Sequence, residues 1–390
     1  MDQTELARLL PEYLLCGHLI DRAGMPYAIE AFGREGMAEV AIEEWMAASP
    51  IYTRRMRAAL GLTGDGVTDM FRCLQIDVGA PPQFMDFRFT VHDEQHGQFE
   101  LAHCGALMDV EPMGEEFVSS MCHDIEDPTF DATAIATNPR ARIRPIHRPP
   151  RMPADRHPHC GWTVTIDPDV EELPFPAEAV ALQGSEAAGI ALPTAAATAS
   201  ELLADIDFTA MPAELLTVLA AEVALQWHLI GLGFLQAVRA RTNPENARQL
   251  GLRQVTGVAG LTSERLRAAF ELPDVESVLA IHPVLLPTAY TGVSLDRDTL
   301  RIPRDSPAVR DGGWLSLVDS DHLAPLNAMV RGIGETLVVE VVQDDEDALV
   351  VRVVDTGTTQ PEADPVQLAK LSTGAGFAFQ PRRSLPLMVL

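Results

Sequence analysis

Lysine is almost missing from this chain: Lys370 is the only one among 29 basic residues, set against 56 acidic ones, for a net charge of -27. Phosphate backbones and anionic bilayers attract clustered cations, so this balance argues against nucleic acid or a membrane surface as partner. Small molecules and proteins are left. Cysteine is scarce too, with five residues, an odd number, and none beyond residue 167. That supply fits thiols or metal ligands better than a disulfide framework. No run of eighteen apolar residues occurs, and Met1-Asp2-Gln3-Thr4-Glu5 has neither the basic segment nor the apolar core of a signal peptide, so a cytoplasmic protein is expected. There is no Gly-x-Ser-x-Gly elbow and no His-Glu-x-x-His, and Gly61, Gly64 and Gly66 lack the strand-then-helix setting of a nucleotide loop.

What is present concentrates between Gln98 and Asp167, which hold three of the five cysteines and five of the eleven histidines. Cys104 follows His103, Cys122 precedes His123, and Cys160 follows His159. Met121 to Asp127 packs a thiol, an imidazole and three carboxylates together, and an arginine run follows at 140, 142, 144, 148, 151 and 156. Any chemistry is expected here.

At 390 residues, two domains of ordinary size are expected. Apolar periodicity predicts helices over Gln3–Ala23, stopped by Gly24-Met25-Pro26, and over Ala28–Leu60, with a possible break at Ser49-Pro50. Strands are expected at Met70–Val78, Phe84–His92 and Gln98–His103, the last two joined by a turn at His92–Gly97. Helices at Met113–His123 and Pro128–Ala136 follow, the second capped by Asp127, then strands at Ala141–His147 and Gly161–Ile166. Pro168–Ala199 reads as a linker.

Beyond it the opening pattern returns. Residues 12–62 align with 222–272 without a gap, at a constant separation of 210 positions and with eleven identities over 51 positions. Glu12 matches Glu222, His18-Leu19-Ile20 matches His228-Leu229-Ile230, and Arg55 matches Arg265. Strand-like runs follow again at Thr299–Ile302, Trp314–Val318, Thr336–Val342 and Leu349–Val354. The expectation is an α+β protein of two related halves, each with helices ahead of a mainly antiparallel sheet, fused as a pseudo-dimer. Its parts are a catalytic domain (1–167), a linker (168–199) and a degenerate structural copy (200–390) that lacks the cysteines and the arginine run.

Each candidate group has a plain alternative. Cys104, Cys122 and Cys160 sit near element ends, where sites are built, yet free cysteines also serve as small core hydrophobes. On a helix, Cys122 and Glu126 would share one face and His123 and Asp127 the next, suited to a cation or an acid–base pair. Asp127 reads better as a helix cap. Arg144, Arg148 and Arg151 would grip an anionic substrate through paired hydrogen bonds, or neutralise Asp124, Glu126, Asp127 and Asp131 internally. His18 and His228, inside apolar helices, read as core histidines.

The order Phe99-x-Leu101-x-x-Cys104, Cys122-x-Asp124, a basic strand, then Cys160-x-x-x-Val164 resembles the L-2-amino-thiazoline-4-carboxylic acid hydrolase-like family over about residues 10–167. The segment Arg148–His159 is longer and richer in proline than that family's turn, and the second half is an addition. The resemblance implies hydrolytic opening of a ring C–N bond in a small carboxylate-bearing heterocycle, with the cysteines as metal ligands or nucleophile.

The functional expectation is therefore a C–N hydrolase. A divalent metal such as zinc would sit on Cys104, Cys122, Cys160 and His159, and Glu126 or Asp124 would act as base. Arg144, Arg148 or Arg151 would hold substrate, and Cys122 beside His123 would be the nucleophile if no metal binds. The alternatives are a cysteine-ligated iron–sulfur or sensing protein, and a small-ligand-binding protein without catalysis. A homo-oligomer is possible in each case.

Overall fold

The computed structural model describes residues 1–195, 202–203 and 205–372. The ends of the expected linker and second copy at 196–201 and 373–390 lie outside these residues. Helix α1 (Gln3–Ala59) runs through Gly24-Met25-Pro26 and through Pro50, where the sequence suggested stops. Its break is at Gly33, with φ 74° and ψ -179°, a conformation open essentially to glycine alone. Burial outweighs local propensity here. Ala23, Gly24 and Met25 are packed inside, and a Cβ on Gly24 would meet Gln254 at 2.9 Å and Phe234 at 3.0 Å.

Helix α2 (Val67–Leu74) replaces the expected strand at Met70–Val78; Val67, Met70, Phe71 and Leu74 recur at helical spacing and all are buried. Strands β1 (Met85–Val91) and β2 (His96–Cys104) form the expected hairpin. After α3 (Gly105–Val110), a short 3₁₀ turn and α4 (Glu115–Ser119), residues Ser120–Ile125 form a π-helical turn that runs straight into α5 (Glu126–Ala134). Asp127 is consequently inside a helix and caps nothing. Strands β3 (Ala141–His147) and β4 (Cys160–Ile166) complete an antiparallel sheet of order β1-β2-β4-β3.

The linker carries two short helices, α6 (Ala177–Leu182) and α7 (Glu186–Gly189), and is held down: Glu186 and Ala187 donate their N–H groups to Asp311 at 2.8 and 2.9 Å. Helices α8 (Ala213–Arg239) and α9 (Pro244–Phe270) then repeat α1. Shifted back by 210, they cover 3–29 and 34–60, and Asn243, the N-cap of α9, stands where Gly33 breaks α1. After α10 (Val275–Leu279) and α11 (Thr288–Thr291), strands β5 (Ser294–Asp296) and β6 (Thr299–Pro303) pair. Helices α12 (Pro307–Arg310) and α13 (Ala324–Ile333) precede β7 (Leu337–Asp344) and β8 (Ala348–Asp355), and α14 (Asp364–Ala369) ends the described chain. The second sheet has order β5-β6-β8-β7, the topology of the first. The Trp314–Val318 run is a 3₁₀ turn with Trp314 and Leu315 buried, and the short strand β5 was not read from the sequence.

The two halves pack as a pseudo-two-fold dimer. Arg55 grips Glu222 through Nε and Nη2, both at 2.9 Å, and the mates of those residues, Arg265 and Glu12, make the reciprocal pair at 2.8 and 3.2 Å. Such i-to-j and j-to-i contacts are the mark of an isologous interface. Close approach at the crossing is permitted by Gly233, where a Cβ would lie 2.7 Å from the Glu44 carbonyl oxygen. Helix α8 is the one described helix long and apolar enough to cross a membrane, but 83% of its most apolar window is buried, chiefly against α1.

Candidate functional site

The cysteine-rich stretch folds into two separate neighbourhoods. Cys104, Cys122 and Cys160 are buried between the sheet and the π-helical turn, near enough to one another and to Glu126 for their charges to interact. Burial and then the Glu126 carboxyl push the Cys104 thiol up to about 12, and Cys122 and Cys160 rise for the same reasons, so all three are neutral thiols. A thiolate nucleophile needs the opposite environment. Cys104 instead accepts the Leu107 N–H at 3.4 Å, closing the start of α3.

His159 does not join the thiols. It packs at a tilt against His103 and His157, at ring separations of 5.8 and 5.1 Å, and burial followed by Arg151 lowers it to about 4. His123 donates Nε2–H to the Pro149 carbonyl at 2.6 Å, Asp124 is exposed, and Asp127 pairs with Arg148 at 2.6 Å. The arginine run is used internally: Arg140 with Glu172, Arg144 with Asp131, and Arg151 with both oxygens of Glu111 at 2.8 Å each. Among the described residues, no three His, Cys, Asp or Glu side chains are set to hold a metal ion.

Beside the thiols lies a cavity the sequence did not disclose. It leaves about 90 Å³ of open interior between α1, α2, the sheet and the α5 region, room for a small solute. Met85, Phe87, Leu101, Met121 and Phe130 supply apolar wall; His18, Asp21, Arg22, Trp45, Tyr52, Asp77 and Glu126 supply polar groups. Of the predicted site residues, Glu126 alone lines it. Trp45 donates Nε1–H to Asp21 at 3.2 Å, while Tyr52 Oη and the Gly79 N–H donate to Asp77 at 2.8 and 2.6 Å. Arg22 lies between Asp21 at 3.7 Å and Asp109 at 3.4 Å.

Burial raises all three carboxyls. Asp77 is pushed up to about 6 despite its two donors, Glu126 to about 8 with Asp127 adding to the effect and Arg148 opposing it, and Asp21 rises although Arg22 and Trp45 oppose it. His18 donates Nδ1–H to the Val78 carbonyl at 3.1 Å, and burial, then Arg22, lowers it to about 3, so Nε2 keeps a free lone pair. That nitrogen is buried without a hydrogen-bond partner.

No family model, curated protein or solved structure matches this chain. The internal repeat provides the comparison instead. The equivalent space in the second half is nearly filled, a cavity of about 10 Å³ lined by Trp227, His228, Gly231, Leu232, Gln254, Val255 and Tyr290. At the 210 spacing, Asp21 has become Gly231, Arg22 Leu232, Trp45 Val255 and Tyr52 Thr262. His228 is retained, and its Nε2–H donates to the Leu286 carbonyl at 2.9 Å. The polar set exists in one copy only. That contrast was the available sequence signal: positions of matched register that are charged in one half and apolar in the other.

Proposed function

We propose that the first half is a small-molecule site centred on the cavity bounded by His18, Asp21, Asp77 and Glu126, and that the second half supports it by packing. The observation that carries this reading is the asymmetry between the copies. Topology and helix register are kept in both, while the larger cavity and its carboxyl-bearing wall belong to the first alone. Buried carboxyls without a matching number of cations cost stability, and such groups gather where a ligand or reaction makes use of them. Trp45 on the wall reports occupancy. Titrating small cyclic compounds while following its fluorescence, with Trp45→Phe as control, should give saturable binding that Met121→Trp, which fills the cavity, abolishes. Unchanged binding in a folded Met121→Trp protein would refute the location.

Catalysis is a second reading, favoured by Glu126. A carboxyl at about 8 carries its proton at neutral pH beside Asp77 at about 6, an acid and a base held apart by their surroundings. For C–N hydrolysis, Asp77 would take a proton from water, whose oxygen bonds to the carbon while Glu126 gives its proton to the departing nitrogen. Loss of L-2-amino-thiazoline-4-carboxylic acid in the presence of the protein, absent with Glu126→Gln, would support it; no loss with the wild type would set that substrate aside.

A zinc ion or iron–sulfur cluster on Cys104, Cys122 and Cys160 is a separate proposal, since a bound metal would itself draw thiol protons off. Elemental analysis of anaerobically purified protein beside Cys104→Ser tests it: metal in stoichiometric amount, lost in the variant, supports ligation, and metal-free protein leaves the trio as core.

A further inference from the structure

We propose that the occupant of this cavity is a small organic cation, an ammonium group on an aromatic or cyclic body; the inference rests on the small-molecule reading above. It follows from a count of what the wall offers. His18 Nε2 is an acceptor, because the same ring's Nδ1 spends its proton on Val78. Asp21 and Asp77 are acceptors, and the donors that face them, Trp45 Nε1 and Tyr52 Oη, are already bonded to them. Arg22 is the one cation on the wall, and Asp21 and Asp109 flank it. It is therefore offset twice over before any ligand arrives. A carboxylate ligand would enter a space holding three acidic groups and no uncommitted cation, whereas an ammonium finds acceptors at His18, Asp21 and Asp77, with the protonated Glu126 the one acid on the wall able to donate.

The apolar part of the wall fits the same class. Trp45, Tyr52, Phe87 and Phe130 line the cavity, and Phe84 packs on the His18 ring at 4.6 Å between centroids. Aromatic faces attract cations, more strongly in a desolvated site, and carboxyls raised by burial regain their charged form when a cation replaces the missing water. The second half is consistent with this assignment: with Asp21 replaced by Gly231 its cavity has no carboxylate on the wall, Val255 stands in place of Trp45, and His228 is satisfied within the protein. The anion-binding role expected of Arg144, Arg148 and Arg151 is not available at this wall, since none lines the cavity and each holds a carboxylate of its own chain.

The test uses four probes of one shape and different charge: benzylamine, benzyl alcohol, toluene and benzoate, titrated at pH 7.5 into the full chain by calorimetry. Benzylamine should bind at least tenfold more tightly than the other three. In Asp77→Asn, whose amide oxygen still accepts from Tyr52 and Gly79, benzylamine should weaken at least fivefold while benzyl alcohol is unchanged. Benzyl alcohol or toluene binding as well as benzylamine would overturn the cation assignment and leave the small-molecule site intact. Benzoate binding most tightly would overturn it in favour of an anion. No binding by any of the four would count against the site reading itself, and equal loss of both benzylamine and benzyl alcohol in Asp77→Asn would overturn the assignment of Asp77 as the group that selects the cation.

Discussion

The reciprocal ion pairs make the pseudo-dimer testable without any ligand. Removing Glu222 leaves Arg55, whose side chain is 14% exposed, with the Ala188 carbonyl at 3.1 Å as its one remaining partner among the described residues. Breaking a buried pair by removing one side costs about 3–5 kcal/mol, far more than the intact pair contributes net. Burial raises Glu222 in spite of Arg55, which places this pair in that regime. Glu222→Ala should therefore lose about 3 kcal/mol in urea unfolding followed by circular dichroism. The mate pair is more open, with Arg265 30% exposed. Glu12→Ala should lose less, about 1–2 kcal/mol after allowance for solvent screening. The double variants Arg55→Ala/Glu222→Ala and Arg265→Ala/Glu12→Ala should be no worse than the singles, giving couplings of about 1–3 kcal/mol and the larger one for the buried pair. Because these contacts join the halves, each variant should still melt in a single transition. Zero coupling in both cycles, or a half that stays folded while the other melts, would refute the account of the halves as one packed unit.

Four further outcomes follow from particular groups. Glu126 is raised from 4.5 to about 8, so the native state binds the extra proton between those values; its contribution is full below pH 4.5 and lost as pH rises toward 8. Glu126→Gln should remove roughly 2–5 kcal/mol of the fall in stability between pH 5 and pH 9, measured by urea unfolding at each pH; an unchanged pH slope would refute this placement. Gly233→Ala drives a methyl group against the Glu44 backbone and should lose about 2–4 kcal/mol, while Gly33→Ala meets open space and should lose about 1–3 kcal/mol from its backbone conformation alone; thermal melts of both variants decide. All five cysteines are buried, so Ellman's reagent should find almost no reactive thiol in the native protein and five in denaturant; a fast-reacting native thiol would contradict the packing of the trio.

The sequence made the architecture legible because periodicity is set locally. Alternation along Phe87, Phe89 and Val91 gives β1, and the 210 spacing gives the paired halves. Its errors lie where neighbours distant in sequence, or an irregular turn, set the local structure. At Gly24-Met25-Pro26 the local signals were overruled by what lies across the interface, at Met70 by burial of α2 against the first sheet and α1, and Asp127 lost its capping role because a π-helical turn carries the chain on without an end. The arginines show the same limit. Composition said they needed carboxylates, and the fold supplies Asp127, Asp131, Glu111 and Glu172, none of them a substrate's. The cavity escaped notice because its polar residues are scattered over α1, the loop before β1 and α5, with only Glu126 inside the cysteine-rich stretch.

The interlocked helices also bear on how this chain comes off the ribosome. Helix α1 is made first, yet the surfaces that cover it belong to α8 and α9, more than 150 positions later. Until Phe270 has emerged, the surface of α1 that packs on α8 and α9 lacks its native cover, so the nascent first half faces a long interval in which that apolar surface is available to chaperones or to another nascent copy. Contacts of such sequence separation also slow the closing step. A tandem arrangement shortens that exposure relative to two separate chains, because the covering helices arrive on the same polypeptide at high effective concentration rather than by a chance meeting.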